Sequence, residues 1–248
     1  MNGFYKDKDC KIKQGMFTYF HSNGSLSSHG LYAENKKQGL WLSYHSNGIM
    51  QDSAVYSFNK PTGVVLGWFP NGSISDSSLY TPDGSSVKVK WFDNGQLSSA
   101  GREENEKQQG KWQYFNLNGK LSAKEVYNAG KLTSRVYYNV DGTALSGITN
   151  RDREAENKKD WKKYLENKLY FPANIKILNS DQATVVVNFS INEEGNIVDA
   201  YVASSFHPLL DNIALNVIKN GPQWVPAIDH NRTIKAYRRQ PLTFSEPQ

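Results

Sequence analysis

The chain has 248 residues, a net charge of +5 and 38% hydrophobic residues, enough for one or two packed domains, and no apolar run approaches the roughly 18–20 residues of a membrane span. Aromatic residues reach 12%, with 14 Tyr and 6 Trp, which excludes a disordered chain. The single Cys10 excludes an internal disulfide framework and a cysteine zinc site. The charge, +4 over residues 1–150 (16 Lys/Arg against 12 Asp/Glu) and +1 over 151–248 (13 against 12), is too dilute for a nucleic-acid footprint.

From Met1 to Asp7 there is no apolar segment of the signal-peptide kind. A repeat then takes over. An Asn-Gly or Asp-Gly pair recurs with glycines at Gly24, Gly48, Gly72, Gly95, Gly119 and Gly142, spaced 24, 24, 23, 24 and 23 residues apart. Four residues before each stands an aromatic: Phe20, Tyr44, Trp68, Trp91, Phe115 and Tyr138. Two after comes Leu26, Met50, Ile74, Leu97, Leu121 or Ala144. Eight after comes Tyr32, Tyr56, Tyr80 and Tyr127, with Glu103 and Asn150 breaking the column in the fourth and sixth copies. Further glycines open most copies, at Gly15, Gly39, Gly63 and Gly110.

Each copy reads as a β-hairpin. Asn-Gly accepts positive φ at both central positions, which predicts a type I′ turn matched to the twist of its strands. In the second copy the strands are predicted over 39–44 and 49–56. One hairpin is marginal in water, so copies must lie side by side, and the expectation is an elongated antiparallel meander of about a dozen strands with no helix. The pattern Gly-x-Trp-x-x-Tyr-x-x-Asn-Gly-x-Leu, carried best by 39–48 and 110–121, resembles the shorter bacterial variant of the MORN repeat over residues 12–145. That resemblance implies a spacer or a protein-binding surface, with no shared chemistry.

Residues 151–160 hold eight charges in ten positions and are predicted to be a charged linker or the solvated start of a helix. Trp161, Tyr164, Leu165 and Leu169 then form a helical face closed by Pro172. Ala183 to Ile191 and Ile197 to Ala203 read as strands around a turn at Glu194-Gly195-Asn196. Pro208 opens a helix whose apolar stripe runs from Leu209 to Ile218, ended by Gly221-Pro222. A last strand is predicted from Thr233 to Phe244. The fold class is therefore mainly β: a hairpin array over 1–150, a linker over 151–160, and an α-β-β-α-β domain over 161–248.

Six features in order resemble the TonB C-terminal domain over residues 158–246. They are Tyr170-Phe171-Pro172, Val185 to Phe189, the turn from Asn192 to Val198 with Gly195, Asp211 to Leu215, Trp224-Val225-Pro226-Ala227, and Gln240 to Phe244. The resemblance implies a periplasmic domain that binds a short extended peptide offered by outer-membrane TonB-dependent receptors. Binding would be by strand addition to an edge, here Ile234, Lys235, Ala236, Tyr237, Arg238, Arg239 and Gln240. Those charges suit an edge in any case, because they discourage promiscuous pairing, so protection alone is the competing reading. Energy transducers of that family carry an N-terminal membrane helix and a Pro-rich spacer. This sequence shows neither, with 9 Pro in all and a repeat array where the spacer would stand. Membrane contact is expected only through a leader outside the sequence.

No catalytic constellation, metal site or cofactor site is predicted. His21 and His45 share a column without a carboxylate and read as turn-flanking residues. His207 before Pro208 reads as a cap or a solvated side chain. Glu103-Glu104-Asn105-Glu106 reads as a solvated charge run, the sequons at Asn23 and Asn71 as turns, and Cys10 as idle or as a processing site. Two functions follow: a peptide-binding envelope module with the array as spacer, or an array whose aromatic rows bind a protein or cell-wall glycan beside a scaffold domain. Homodimerisation by strand exchange at the same edge would compete with peptide binding.

Overall fold

The computed structural model describes residues 2–21, 23–146, 151–157, 160–177 and 182–245. The chain divides into two compact units, Met1–Gly147 and Ile148–Gln248. The sixth-copy position Asn150 lies outside the described residues.

The first unit is one antiparallel meander. Its strands are β1 (Asn2–Tyr5), β2 (Lys13–Phe20), β3 (Leu26–Ala33), β4 (Lys36–Tyr44), β5 (Met50–Ser57), β6 (Lys60–Trp68) and β7 (Ile74–Tyr80). They continue as β8 (Ser85–Trp91), β9 (Leu97–Glu104), β10 (Lys107–Phe115), β11 (Leu121–Asn128), β12 (Lys131–Tyr138) and β13 (Ala144–Leu145), paired in sequence order.

The turns differ from the expectation. At the Asn-Gly sites only the glycine has positive φ, +82° at Gly24 and +85° at Gly48; the Gly24 N–H donates to His21 O and the His21 N–H to Ser25 O, and Gly48, His45 and Ile49 repeat the pattern. This is a type I turn closed by a glycine bulge. The asparagine is chosen for its side chain: Asn47 Oδ1 accepts from the Ile49 N–H at 3.1 Å, and its Nδ2 donates to Pro70 O at 2.9 Å in the next copy. Paired positive φ values appear at the opposite end of the hairpins, at Glu34-Asn35 (50°, 66°), Phe58-Asn59 (49°, 70°) and Asn105-Glu106 (49°, 63°). Each is a two-residue connection with the φ signature of type I′.

A single sheet needs a core without a second layer, and one row across the strands supplies it. The row reads Gly3, Phe17, Gly30, Trp41, Ala54, Val65, Ser78, Lys88, Gly101, Trp112, Glu125, Arg135, so small and larger residues alternate strand by strand as far as Trp112, and an ion pair ends the row. Directly opposed residues stand about 5 Å apart, which leaves room for one large side chain per pair. The Trp41 ring lies on Gly30 and the Trp112 ring on Gly101, where any Cβ would collide with the indole. Phe17, Trp41 and Trp112 are buried. Tyr32 stands edge-on to Phe17 and to Trp41, with centroids 5.3 and 4.9 Å apart, and Lys13 Nζ lies 4.9 Å over its ring.

Where the aromatics lapse, ion pairs enter. Lys88 occupies a Trp position and Glu103 a Tyr position, and they bond at 2.7 Å. The pair accounts for the fading of the fourth copy, and it corrects the charge-run reading: Glu103 and Glu104 belong to β9, and only Asn105-Glu106 form the loop. At the last copy Glu125, 1% exposed, bonds Arg135 Nε at 2.5 Å and accepts from the Tyr127 hydroxyl.

The second unit contains β14 (Glu156–Asn157), α1 (Trp161–Lys168), β15 (Gln182–Ile191), β16 (Ile197–Ser204) and α2 (Pro208–Lys219). Then come β17 (Trp224–Val225), β18 (Ala227–Asp229), β19 (Arg232–Ile234) and β20 (Ala236–Ser245). The three-stranded sheet has the order β16-β15-β20. Leu210, Ala214, Val217 and Ile218 of α2 pack on Val185, Val187, Phe189 and Ile191 of β15 and on Leu242 and Phe244 of β20. His207 is the N-cap of α2, its Nδ1 accepting from the Leu209 N–H at 3.2 Å.

Two expectations are corrected. The charged segment is not a free linker over its described part. Arg153 and Ile228 exchange backbone hydrogen bonds at 2.8 and 2.9 Å, Ala155 is buried, and β14 pairs with β17. Its charges face outward while its backbone completes a ladder, which a charge count cannot register. The single last strand is two, because Arg232–Ile234 folds back on Ala227–Asp229 around His230-Asn231, where φ is 52° and 61°.

Candidate functional site

The sheet of the second unit has two edges, and they differ. β16 is irregular: its register with β15 shifts twice, and Asp199 takes φ 53° and binds Lys235 Nζ at 2.5 Å. A bulged, ion-paired strand is a poor template for another chain. β20 pairs with β15 without a slip over ten residues, and among the described residues no strand pairs on its far side.

Direction along β20 is readable from its chemistry. Pro241 faces Val186 and has no N–H, so it sits where backbone groups point away from β15. Two side-chain bonds agree: Arg238 Nη1 donates to Tyr237 O at 3.0 Å, and Gln240 Nε2 donates to Pro241 O at 2.8 Å. Tyr237, Arg239 and Pro241 therefore turn their backbone outward, and Ala236, Arg238 and Gln240 bond to β15. The Tyr237 and Pro241 carbonyls are capped by neighbouring side chains. Arg239, between them, carries no such cap among the described residues.

Both caps are held in place. Gln240 Oε1 accepts from Trp161 Nε1 at 2.9 Å. Arg238 also donates to Glu154 Oε2 at 3.1 Å and to Ala155 O at 2.9 Å. The segment read as a linker thus reaches the edge. It forms one wall of a groove of about 660 Å³ lined by Asp152, Arg153, Ile228, Ile234, Tyr237 and Arg238. Tyr237 is 80% exposed at its mouth.

Of the residues expected at this edge, Ala236, Tyr237, Arg238, Arg239 and Gln240 lie on β20. Ile234 ends β19 and Lys235 stands between the two strands, because the β18–β19 hairpin takes that stretch first. The motif residues are structural. Gly195, at φ 84°, lies against the backbone of Trp224, whose N–H donates to Gly195 O at 2.8 Å, and a Cβ there would meet the Trp224 carbonyl. Trp224 packs against Trp161 and Phe189, with centroids 5.2 and 6.1 Å away. Phe171 packs at the core margin, Pro172 O accepts from the Ile175 N–H at 3.2 Å, and Pro226 separates β17 from β18. Glu154 and Trp161, which set the caps, were missed at the edge; both lie remote from β20 in sequence.

Residues 167–245 match the family model of the Gram-negative bacterial TonB protein C-terminal. Residues 108–129 match that of the MORN repeat variant. The chain therefore carries a MORN-type repeat followed by a TonB C-terminal domain. Together they point to a protein-interaction role in the cell envelope, and both families are non-enzymatic in general. No curated protein matches the chain.

In the array, Gly24, Gly48, Gly72, Gly95, Gly119 and Gly142 all sit at the bulge positions. His21 and His45 do not face each other: each ring Nε2 bonds the backbone of the next copy, Tyr44 O and Trp68 O, at 2.8 Å. Of the aromatic columns that offered a glycan or protein surface, Tyr127 is buried, Phe20 is exposed, and Tyr32, Tyr44, Tyr56, Trp68, Tyr80, Trp91, Phe115 and Tyr138 are half-buried. No helix among the described residues is long and apolar enough to cross a membrane.

Proposed function

We propose that the TonB C-terminal domain binds extended peptides, of the kind that outer-membrane transporters offer to the periplasm, by adding them as a strand to β20. The repeat array serves as spacer and docking surface. One observation carries the reading: β20 is ten residues of unbroken register, its far side without a paired strand among the described residues, next to a groove that can accept a peptide side chain. Main-chain bonds at Arg239 would anchor the peptide, and the Tyr237 ring would pack on its side chains.

The test is an NMR titration of the labelled full chain with short peptides from the periplasm-facing N-termini of candidate receptors. Shifts concentrated over Ala236–Leu242 are expected. Arg239→Pro removes the outward N–H and should abolish binding, whereas Arg239→Ala keeps it. Shifts that follow β16, or none at saturating peptide, would sink the proposal.

A further inference from the structure

Pro241 sits in the middle of the β20 edge. Alternation along the strand turns Tyr237, Arg239, Pro241 and Thr243 outward, so an added strand can take backbone bonds at Arg239 and again at Thr243. Pro241 lies between them without an N–H, and a peptide carbonyl that faces it meets no backbone donor. A carbonyl closed in between two strands without a donor weakens binding. By its backbone alone, the edge is therefore broken at its centre.

One side chain lies at the gap. Gln240 Nε2 is 2.8 Å from Pro241 O, and Gln240 Oε1 accepts from Trp161 Nε1 at 2.9 Å. An indole nitrogen only donates, so this bond fixes which end of the amide is oxygen and aims the nitrogen at the edge. That nitrogen carries two hydrogens. Pro241 O takes one, and among the described residues nothing takes the other.

We infer that Gln240 is a positioning residue for the peptide: its second amide hydrogen replaces the N–H that Pro241 lacks and receives the peptide carbonyl at that place. The role rests on strand addition at β20 and sets the length of edge that is read. Arg239 and Thr243 become two backbone anchors flanking a side-chain anchor, so the site spans the five residues 239–243 instead of stopping at Arg239. Either direction of the added strand leaves one of its carbonyls facing Pro241, so the role does not depend on that direction. The pairing of the two residues also has a rationale in selectivity. Proline on an edge discourages promiscuous pairing. A donor fixed by Trp161 readmits a strand whose carbonyl falls within its reach. On the competing account Gln240 only caps Pro241 O and protects the edge.

Titration of the full chain, labelled at backbone and glutamine amides, with synthetic heptapeptides from the periplasm-facing N-termini of candidate receptors separates the two. On binding, one of the two Gln240 side-chain amide protons should move downfield together with the Arg239 N–H. Gln240→Glu keeps the acceptor for Trp161 and loses the donor, and Gln240→Met loses the donor without adding charge. Each should weaken binding about tenfold. Pro241→Ala returns a backbone N–H to the edge and should restore the affinity in both backgrounds. Amide spectra of the free variants check the fold, and the Gln240 proton shift requires no variant. An Arg239 shift with the Gln240 pair unmoved overturns the inference and leaves strand addition standing. Unchanged or tighter binding by both Gln240 variants, or a loss that Pro241→Ala does not restore, overturns it as well. If neither Arg239 nor Gln240 responds, strand addition falls and this role falls with it.

Discussion

The two units solve the same burial problem in different ways. In the TonB C-terminal domain a sheet is covered by helices, and its centre is aliphatic: Val185, Val187 and Ile191 under Leu210 and Ile218 are all at most 0% exposed. Among the described residues of the array there is one sheet and no second layer, and side chains hide one another along it. Shape complementarity between adjacent strands does there what a helix does in the domain. The contrast teaches that an array of this kind tolerates polar substitutions in pairs, provided each pair fills the same space.

Two substitutions should separate the units by the largest margin. Glu125→Ala leaves Arg135, 17% exposed at its side chain, without its carboxylate, and should cost the array about 3–5 kcal/mol. Leu210→Ala opens a cavity beneath the domain sheet and should cost about 2–5 kcal/mol. Calorimetry should show each substitution lowering the transition of its own unit and sparing the other. A common shift of both would mean that the two cores unfold as one.

A sharper test addresses the small–large alternation. Gly101→Ala drives a methyl into the Trp112 ring and should cost about 1–3 kcal/mol by overpacking. Adding Trp112→Val recreates the Ala54/Val65 combination found elsewhere in the row. The double variant should recover part of that loss in a denaturant midpoint, although Trp112→Val alone destabilises. If the two losses simply add, the row is not a set of complementary pairs.

Much of this was legible in the residues. The 23–24-residue spacing gave the hairpins, and the six motifs gave the order of the domain. The alternating row was also present in the sequence, but reading Gly30 against Trp41 requires the strand register. The turns exchanged roles because Asn-Gly serves two different geometries. Asn47 holds the neighbouring turn through its amide, and positive φ falls to Glu34-Asn35 and Phe58-Asn59, pairs without a glycine. At those positions a single Asn is the only turn signal. The edge caps were hidden for a different reason: Arg238 meets Glu154 and Gln240 meets Trp161 only after a long excursion of the chain.

The smallest effect concerns the third copy, which replaces the two-residue turn with Thr81-Pro82-Asp83-Gly84. Bonds from the Thr81 hydroxyl and from the Ser85 N–H and hydroxyl hold the Asp83 carboxyl down at about 2, from an ordinary 3.8. A carboxyl depressed by folding stabilises the folded state above its unfolded value and loses that contribution as pH falls through the folded one. The array should therefore lose stability progressively from about pH 4 toward pH 2 through this turn. Asp83 is fully exposed, so solvent screens the effect and the slope is shallow. Asp83→Asn keeps the acceptor for the Ser85 N–H and removes the titration. Melting temperatures of the array across that window should fall less steeply in the variant than in the parent, and identical slopes would mean that the unfolded chain holds the same bonds.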